Sequence, residues 1–166
     1  MNTMKIFFYT LIIVMLGACG NQPTKLYADG NEMAEELKAQ VDWISAAEFR
    51  TVLESNETFY LIDCRESEEF DLACIQGALS VPRTVLEDEI ANQAPGKRIP
   101  LYIYCANGRR STLAATVLPL LKYTDVKVIE GGFDAWQETF PDLVEHNPVR
   151  GAVKKAVAAP SGGCGG

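Results

Sequence analysis

Short apolar runs alternate along the chain with mixed segments whose apolar residues follow helical spacing. Four runs have the length and the mainly apolar composition of strands buried on both faces: 59–64, 78–81, 101–104 and 126–129. Four neighbouring segments have the pattern of helices: 67–72, 85–92, 111–121 and 133–138. Strands that alternate with helices form a parallel sheet covered on both sides, so the pattern predicts an α/β fold.

Two helices carry signals at their ends. Ser45 and Glu48 have the spacing of a capping box, which predicts a helix over 46–53. In a later helix, Pro119 interrupts the helical pattern. A proline there removes a backbone hydrogen bond and clashes with the preceding turn. We therefore expect that helix to kink, or to end near Leu118.

Composition limits the size and the class of the protein. The 166 residues, 48% of them hydrophobic, are enough for one domain with a single core. Acidic residues outnumber basic ones by 22 to 15, and no basic cluster stands out beyond Arg109-Arg110, so a nucleic-acid surface is not expected. Cysteines and histidines lack the spacing of metal ligands, and neither a metal nor another cofactor is predicted.

The first residues have the features of an export signal. A charged start precedes an apolar stretch, 6–16, that is shorter than the ~20 residues of a membrane-spanning helix. Residues 16–19 (Leu-Gly-Ala-Cys) then resemble a bacterial lipobox. This implies a lipoprotein signal peptide over 1–18, lipid on Cys19 and anchoring to the periplasmic face of the cell envelope. Gly20 favours the outer membrane in a cell that has two. The alternative is an ordinary signal peptide with an incidental cysteine.

The hexapeptide 105–110 (Cys-Ala-Asn-Gly-Arg-Arg) joins a predicted strand to a predicted helix. Backbone N–H groups at a helix start lack partners and attract anions, so we expect a stabilised thiolate and a lowered pKa at Cys105. Gly108 allows the loop to curl its N–H groups toward one point. Arg109 and Arg110 oppose the helix dipole, and a bound anion would offset this conflict.

This loop resembles the active-site loop of rhodaneses, the sulfurtransferases that carry sulfur as a cysteine persulfide. Two further groups of residues are similar to the family's motifs. The early group comprises 61–66, 69–70, 75–78 and 81–82, and the closing group is 131–136. The resemblance implies a three-layer α/β/α domain over 41–141, with a central parallel sheet of about five strands. One departure is Ala73-Cys74, where the family often has Gly-His, and it affects local packing more than activity.

The resemblance also implies a reaction and a set of site residues. Cys105 would take sulfane sulfur from thiosulfate or a related donor and pass it to a thiol or to cyanide. The implied substrate-binding residues are Ala106, Asn107, Gly108, Arg109, Arg110, Ser111 and Arg65. For Arg65, together with Asp63 and Glu69, a structural charge cluster is an equal alternative. The single histidine, His146, is remote in sequence, so backbone dipoles and arginines are expected to activate the thiol.

Loop length separates this chemistry from that of related phosphatases and arsenate reductases. Those enzymes have a similar architecture, but five residues separate their cysteine from their arginine. The longer loop makes room for a tetrahedral phosphate. Here four residues separate Cys105 from Arg110. The expected cargo is therefore sulfur rather than phosphate.

The other cysteines are predicted to have different roles. Cys64 and Cys74 flank a helix that separates them by ~12 Å, beyond the ~7 Å limit for a disulfide, so both are expected to be buried thiols. Cys164 lies in a predicted flexible tail, 142–166, and a chain of that length spans ~26 Å on average. It is a candidate resolving thiol for Cys105, and a tail end without a role is the alternative.

Three classes of function stay open at this point. The first is an active sulfurtransferase with a small sulfur-containing anion and a thiol acceptor as partners. The others are a catalytically silent rhodanese-like binding or sensing module, and a thiol oxidoreductase that uses Cys105 and Cys164. The domain is expected to be monomeric, held at the membrane through residues 19–40, a polar tether with a helical turn or two near 33–38.

Overall fold

The computed structural model describes residues 25–148. This part contains seven strands: β1 (Asp42–Ile44), β2 (Tyr60–Asp63), β3 (Ala73–Ile75), β4 (Leu79–Ser80), β5 (Leu101–Tyr104), β6 (Val126–Ile129) and β7 (Val144–His146). Five of them form one sheet in the order β1-β6-β5-β2-β4, and all its neighbours run parallel. The predicted α/β fold with a parallel sheet of about five strands is confirmed.

Six α-helices connect or flank these strands: α1 (Gly30–Leu37), α2 (Ala46–Glu54), α3 (Ser67–Leu72), α4 (Leu86–Gln93), α5 (Arg109–Val117) and α6 (Gly132–Thr139). Short 3₁₀ segments lie next to these helices, at Lys38–Gln40, Arg83–Val85, Leu118–Leu121 and Pro141–Leu143. The capping box forms as predicted, with the Glu48 N–H donating to Ser45 Oγ and the Ser45 N–H donating to Glu48 Oε2.

Pro119 ends a helix as the sequence predicts. Helix α5 stops at Val117, and the chain continues as a 3₁₀ turn in which Pro119 is the second residue. Proline is tolerated there because the first turn of a helix does not use its N–H. The distortion lies at the end of α5 remote from the loop 105–110, so that loop keeps a regular helix start.

Side chains alternate between the two faces of the sheet and pack into two apolar clusters. Ile62, Cys64, Ile103 and Cys105 belong to the cluster that contains residues of α4 and α5. The other cluster combines Leu61, Tyr102 and Tyr104 with Phe49 of α2 and with Phe133 and Trp136 of α6. Helices thus cover both faces, which gives three layers, and Phe133 and Trp136 are buried in the core.

Both ends of the domain extend further than the sequence suggests. Helix α1 packs against α5 and buries Ala34 and Leu37, so this part of the expected tether belongs to the domain. Strand β7 pairs antiparallel with β3, so residues 144–146 of the expected flexible tail are folded. The predicted limits of 41 and 141 are therefore too narrow. The signal peptide, Cys19 and Cys164 lie outside the described residues.

Residues 25–148 include no helix with the length and the apolar character needed to cross a bilayer. Nor does that range contain a group of three or more histidine, cysteine or acidic side chains arranged to hold a metal ion.

Candidate active site

The site lies beyond the carboxyl ends of the two central strands. Cys105 follows the last residue of β5, and Cys64 follows the last residue of β2. Asp63 and Tyr104 are register partners, and the Cys64 N–H donates a 2.9 Å hydrogen bond to the Tyr104 carbonyl, so the pairing continues as far as the two cysteines. Parallel α/β sheets collect ligands and reactive groups at this edge.

Gly108 shapes the loop that holds Cys105. It adopts a φ of +96°, which an L side chain rarely reaches, and it stands immediately before α5. Its N–H donates a 3.2 Å hydrogen bond to Cys105 Sγ, and its carbonyl accepts the hydroxyls of Ser111 at 3.0 Å and Thr112 at 2.8 Å. The predicted turning of a loop N–H toward the sulfur is observed.

The environment of Cys105 lowers its pKa from 9.0 to about 5. The largest cause is a hydrogen bond from the Cys64 thiol, followed in favour of the thiolate by the Ser111 hydroxyl, whose Oγ lies 3.6 Å from Sγ. Backbone N–H groups of Ser111 and Asn107 add to this, and burial opposes it. Cys105 is therefore a thiolate at neutral pH, as a nucleophile or sulfur carrier requires.

Cys64 is a candidate site residue that the sequence alone did not indicate. Burial raises its pKa well above 9.0, and the hydrogen bond that it donates to Cys105 raises it further. The two sulfurs thus hold one proton between them, and that proton stays on Cys64. Sequence reasoning confined Cys64 to packing, and its burial and its lack of a disulfide are confirmed. The missed signal was that β2 and β5, neighbouring strands, each end one residue before a cysteine.

The start of α6 holds the other side of the loop. The N–H groups of Phe133 and Asp134 donate to the carbonyls of Cys105 and Ala106 at 2.8 and 3.0 Å. Gly132 permits this approach, because a Cβ at that position would lie 2.3 Å from the Cys105 oxygen, and its φ is +61°. The closing motif 131–136 thus clamps the loop 105–110.

Arg110 is fixed by a carboxylate. Its two terminal nitrogens donate to the two oxygens of Glu69 at 2.7 and 3.0 Å, and Glu66 lies 3.7 Å away. The Glu69 hydrogen bond is the main reason that the pKa of Arg110 is raised, and the negative charge of the Cys105 thiolate contributes. A guanidinium is thereby held beside the thiolate, with part of its charge balanced by Glu69.

Arg109 points in another direction. Its guanidinium donates a hydrogen bond to Asn31 Oδ1 on α1, and the backbone N–H of Arg109 donates to Asn107 Oδ1 at 3.3 Å. Between α1 and the loop lies a cavity of about 220 Å³, which Asn107 and Arg109 line together with Lys38. The two arginines are therefore not directed at one anion in this structure. Cys105 itself is fully buried, and this cavity adjoins its loop.

Arg65 lies in a buried ion pair, which favours a structural role over the predicted substrate-binding role. Its guanidinium donates to both oxygens of Asp63, at 2.6 to 3.0 Å, and to the Ala73 carbonyl at 2.6 Å. It lies 4.0 Å from the Phe133 ring centroid and is only 4% exposed. The buried pair ties the end of β2 to β3, which is the structural alternative that the sequence left open.

A thiolate at the carboxyl edge of a parallel sheet, inside a loop that opens a helix, defines an α/β protein with a reactive cysteine. The family model of the rhodanese-like domain matches residues 45–139, which is more than half of the chain. The protein belongs to the rhodanese-like family, as its three motifs indicated.

Similar proteins cover the domain to different extents. Thiosulfate sulfurtransferase GlpE of Stutzerimonas stutzeri is 32% identical over 87 residues, which are 52% of this chain and 78% of GlpE. Adenylyltransferase and sulfurtransferase MOCS3 of Oryza sativa subsp. japonica is 26% identical over 104 residues, and the match spans only 23% of MOCS3. The solved structure of RPA3614 from Rhodopseudomonas palustris, of unknown function and described as a possible tyrosine phosphatase, has a TM-score of 0.58 at 27% identity and covers 72% of this chain and 96% of that one.

Proposed function

We propose that the protein is a sulfurtransferase that carries sulfane sulfur on Cys105. In the first half-reaction the Cys105 thiolate attacks the outer sulfur of thiosulfate or a related donor. The S–S bond of the donor breaks, and sulfite leaves with the bonding electron pair. In the second, a thiol or cyanide attacks the outer sulfur of the persulfide and releases the Cys105 thiolate.

The observation that carries this proposal is the thiolate itself. A cysteine with a pKa of about 5, stabilised by Cys64, Ser111 and the Gly108 N–H, is ionised without an external base. After sulfur uptake, the same donors suit the negative outer sulfur of a persulfide. Arg110, which Glu69 holds in place and which interacts electrostatically with Cys105, supplies the positive charge that a dianionic donor needs.

Two observations weigh against other reactions at this site. Four residues separate Cys105 from Arg110, which leaves less room than the five that a tetrahedral phosphate requires. A silent binding module has no need of a cysteine whose pKa is lowered to about 5. We therefore favour sulfur transfer over phosphate hydrolysis and over binding without turnover.

A steady-state assay of thiocyanate formation from thiosulfate and cyanide tests the proposal. We expect turnover by the unaltered chain, complete loss in Cys105→Ser and retained activity in Cys74→Ser, since Cys74 lies on β3, which pairs with β7 in the smaller, two-stranded sheet. Parallel-line kinetics in the two substrates would support the two half-reactions. Activity that survives in Cys105→Ser, or no activity with any sulfane donor, would contradict the proposal.

We further propose that the chain is exported and anchored to the cell envelope through lipid on Cys19. The support is the apolar stretch 6–16 and the lipobox-like residues 16–19. Growth with an alkyne-bearing fatty acid tests this, because a lipidated chain becomes labelled and fractionates with membranes. Labelling that is lost in Cys19→Ser supports the anchor. Absence of label, or equal label in Cys19→Ser, contradicts it.

A further inference from the structure

Cys64 lies beside Cys105 on the same face of the central sheet. Residues 62 and 103 are register partners on β2 and β5, and residues 63 and 104 are the next pair, so Cys64 and Cys105 continue the series. Side chains alternate between faces. In agreement with this, Ile62, Cys64, Ile103 and Cys105 share one apolar cluster while Tyr104 lies in the other.

This placement brings the two thiols within reach of a covalent bond. Neighbouring parallel strands lie about 4.8 Å apart, which falls inside the Cα separation of about 4.4 to 6.8 Å at which disulfides form. The Cys64 N–H remains bonded to the Tyr104 carbonyl at 2.9 Å, so the strands have not separated at this point. The Cys64 thiol already donates its proton toward the Cys105 sulfur.

We propose that Cys64 resolves the Cys105 persulfide and releases its outer sulfur as hydrosulfide. This second activity rests on the persulfide of the proposed function. The Cys64 sulfur attacks Cys105 Sγ, the bond between Sγ and the outer sulfur breaks, and the Cys64 proton passes to the departing sulfur. A protonated Cys64 and a persulfide anion thus give a Cys64–Cys105 disulfide and HS⁻, and no outside base or oxidant is consumed.

A following reaction must return the site to its thiol form. Formation of the disulfide oxidises the two cysteines and reduces the sulfane sulfur to hydrosulfide. An external dithiol therefore has to reduce the disulfide before the next cycle. Over the full cycle the donor's sulfur leaves as hydrosulfide and the dithiol becomes oxidised. The chain would then be a dithiol-dependent sulfane reductase when no sulfur acceptor is present.

Burial of Cys64 decides which of two reactions of the persulfide is faster, transfer to an acceptor thiol or resolution by Cys64. Cys64 is fully buried and its pKa is raised, so its thiolate is scarce and its attack is slow. Proximity compensates in part, because the attack is intramolecular. An acceptor thiol that reaches the outer sulfur therefore intercepts the persulfide first. Resolution by Cys64 becomes the outcome when that acceptor is missing.

The test follows one loaded persulfide with no acceptor added. The full-length chain carrying Cys164→Ser is loaded with inorganic polysulfide, freed of reagent and compared with versions that also carry Cys64→Ser, Cys64→Val, Cys74→Ser or Cys105→Ser, the last of which gives the background. Released hydrosulfide and the disulfide found by peptide mapping are measured over time. Polysulfide adds sulfur to a thiolate chemically, so loading does not depend on thiosulfate turnover.

We expect the chain with Cys64 intact to release hydrosulfide and gain a Cys64–Cys105 disulfide, and Cys74→Ser to behave in the same way. Both Cys64 variants should keep the added sulfur, with hydrosulfide release reduced to the background of Cys105→Ser. Serine and valine differ in polarity, and thermal unfolding shows which of them keeps the fold. Equal release in a folded Cys64 variant, or a disulfide that excludes Cys64, would overturn the inference. Loading by polysulfide but not by thiosulfate would instead count against the proposed function alone.

Discussion

The N–H of Phe133 donates a 2.8 Å hydrogen bond to the carbonyl oxygen of Cys105. This bond turns the carbonyl of the reactive residue toward α6, while the N–H of Gly108 turns toward its sulfur. The loop therefore has two sides, one held by the start of α6 and one that faces the thiolate. The closing motif 131–136 therefore stabilises the loop 105–110 through backbone carbonyls rather than through the Cys105 sulfur.

Gly132→Ala should damage both stability and the site. A Cβ would lie 2.3 Å from the Cys105 oxygen and 2.5 Å from the Ala106 oxygen, and the φ of +61° disfavours alanine. Left-handed strain and overpacking together predict a loss of about 2 to 5 kcal/mol in the free energy of unfolding. Urea denaturation measures it. Gly30→Ala is the matched control, because nothing lies within 4 Å of its added Cβ, and a comparable loss there would refute the clamp.

Cys64 should set the pH range in which Cys105 reacts. The rate of alkylation by iodoacetamide tracks the thiolate, so in the unaltered protein it rises with pH to a plateau, with a midpoint near the pKa of about 5. Cys64→Val removes a hydrogen-bond donor from the thiolate, which favours the protonated form. The midpoint should then rise by about one to two pH units.

Cys64→Ser is the control for that experiment, because its hydroxyl can still donate a hydrogen bond to the Cys105 sulfur. We expect a smaller rise than in Cys64→Val. A midpoint that stays near 5 in Cys64→Val would show that the loop amides and Ser111 suffice, and that Cys64 has no part in activation.

Arg110→Ala should weaken binding of an anionic donor. The variant removes the guanidinium that Glu69 holds beside the thiolate. Loss of one charge-assisted hydrogen bond predicts an increase of about ten- to a hundredfold in KM for thiosulfate. Arg83→Ala removes a guanidinium that pairs with Glu87 outside the loop, and its KM should be unchanged. Equal effects of the two variants would contradict a specific role for Arg110.

Arg65→Met should test the structural assignment of Arg65. Asp63 is fully buried, burial raises its pKa, and the Arg65 hydrogen bonds oppose that rise. Removing the partner leaves a buried carboxylate uncompensated, which predicts a loss of about 3 to 5 kcal/mol in the free energy of unfolding. Arg50→Met breaks the exposed pair with Glu54 and should lower the free energy of unfolding far less, because solvent screens that pair. A stable Arg65→Met variant with a raised KM would restore the substrate-binding role.

The sequence predicts the central elements well because their patterns have one physical reading. Strands β5 and β6 match the predicted runs residue for residue, since an apolar run of four residues between turn signals is typical of a buried strand. Strands β1, β3 and β7 were not predicted. Each has three residues, which are too few to show an alternation of apolar and polar side chains. Each also forms only by pairing with strands that the sequence alone does not identify.

The site divides in the same way. The loop 105–110 and the turn at Gly108 are local, and the sequence predicts both. The partners of Cys105, Arg109 and Arg110 depend on which strands and helices become neighbours, so Cys64, Asn31 and Glu69 came out only with the fold. Polar composition also concealed that α1 belongs to the domain, because its contact depends on only two buried apolar residues, Ala34 and Leu37.

Persulfide formation on Cys105 can be read directly from the intact mass of the protein after a brief exposure to thiosulfate. We expect a gain of one sulfur atom on Cys105, located by peptide mapping, with one equivalent of sulfite released and no gain in Cys105→Ser. A chain whose Cys105 reacts fully with iodoacetamide near pH 6 yet gains no sulfur from thiosulfate or any other sulfane donor would contradict it.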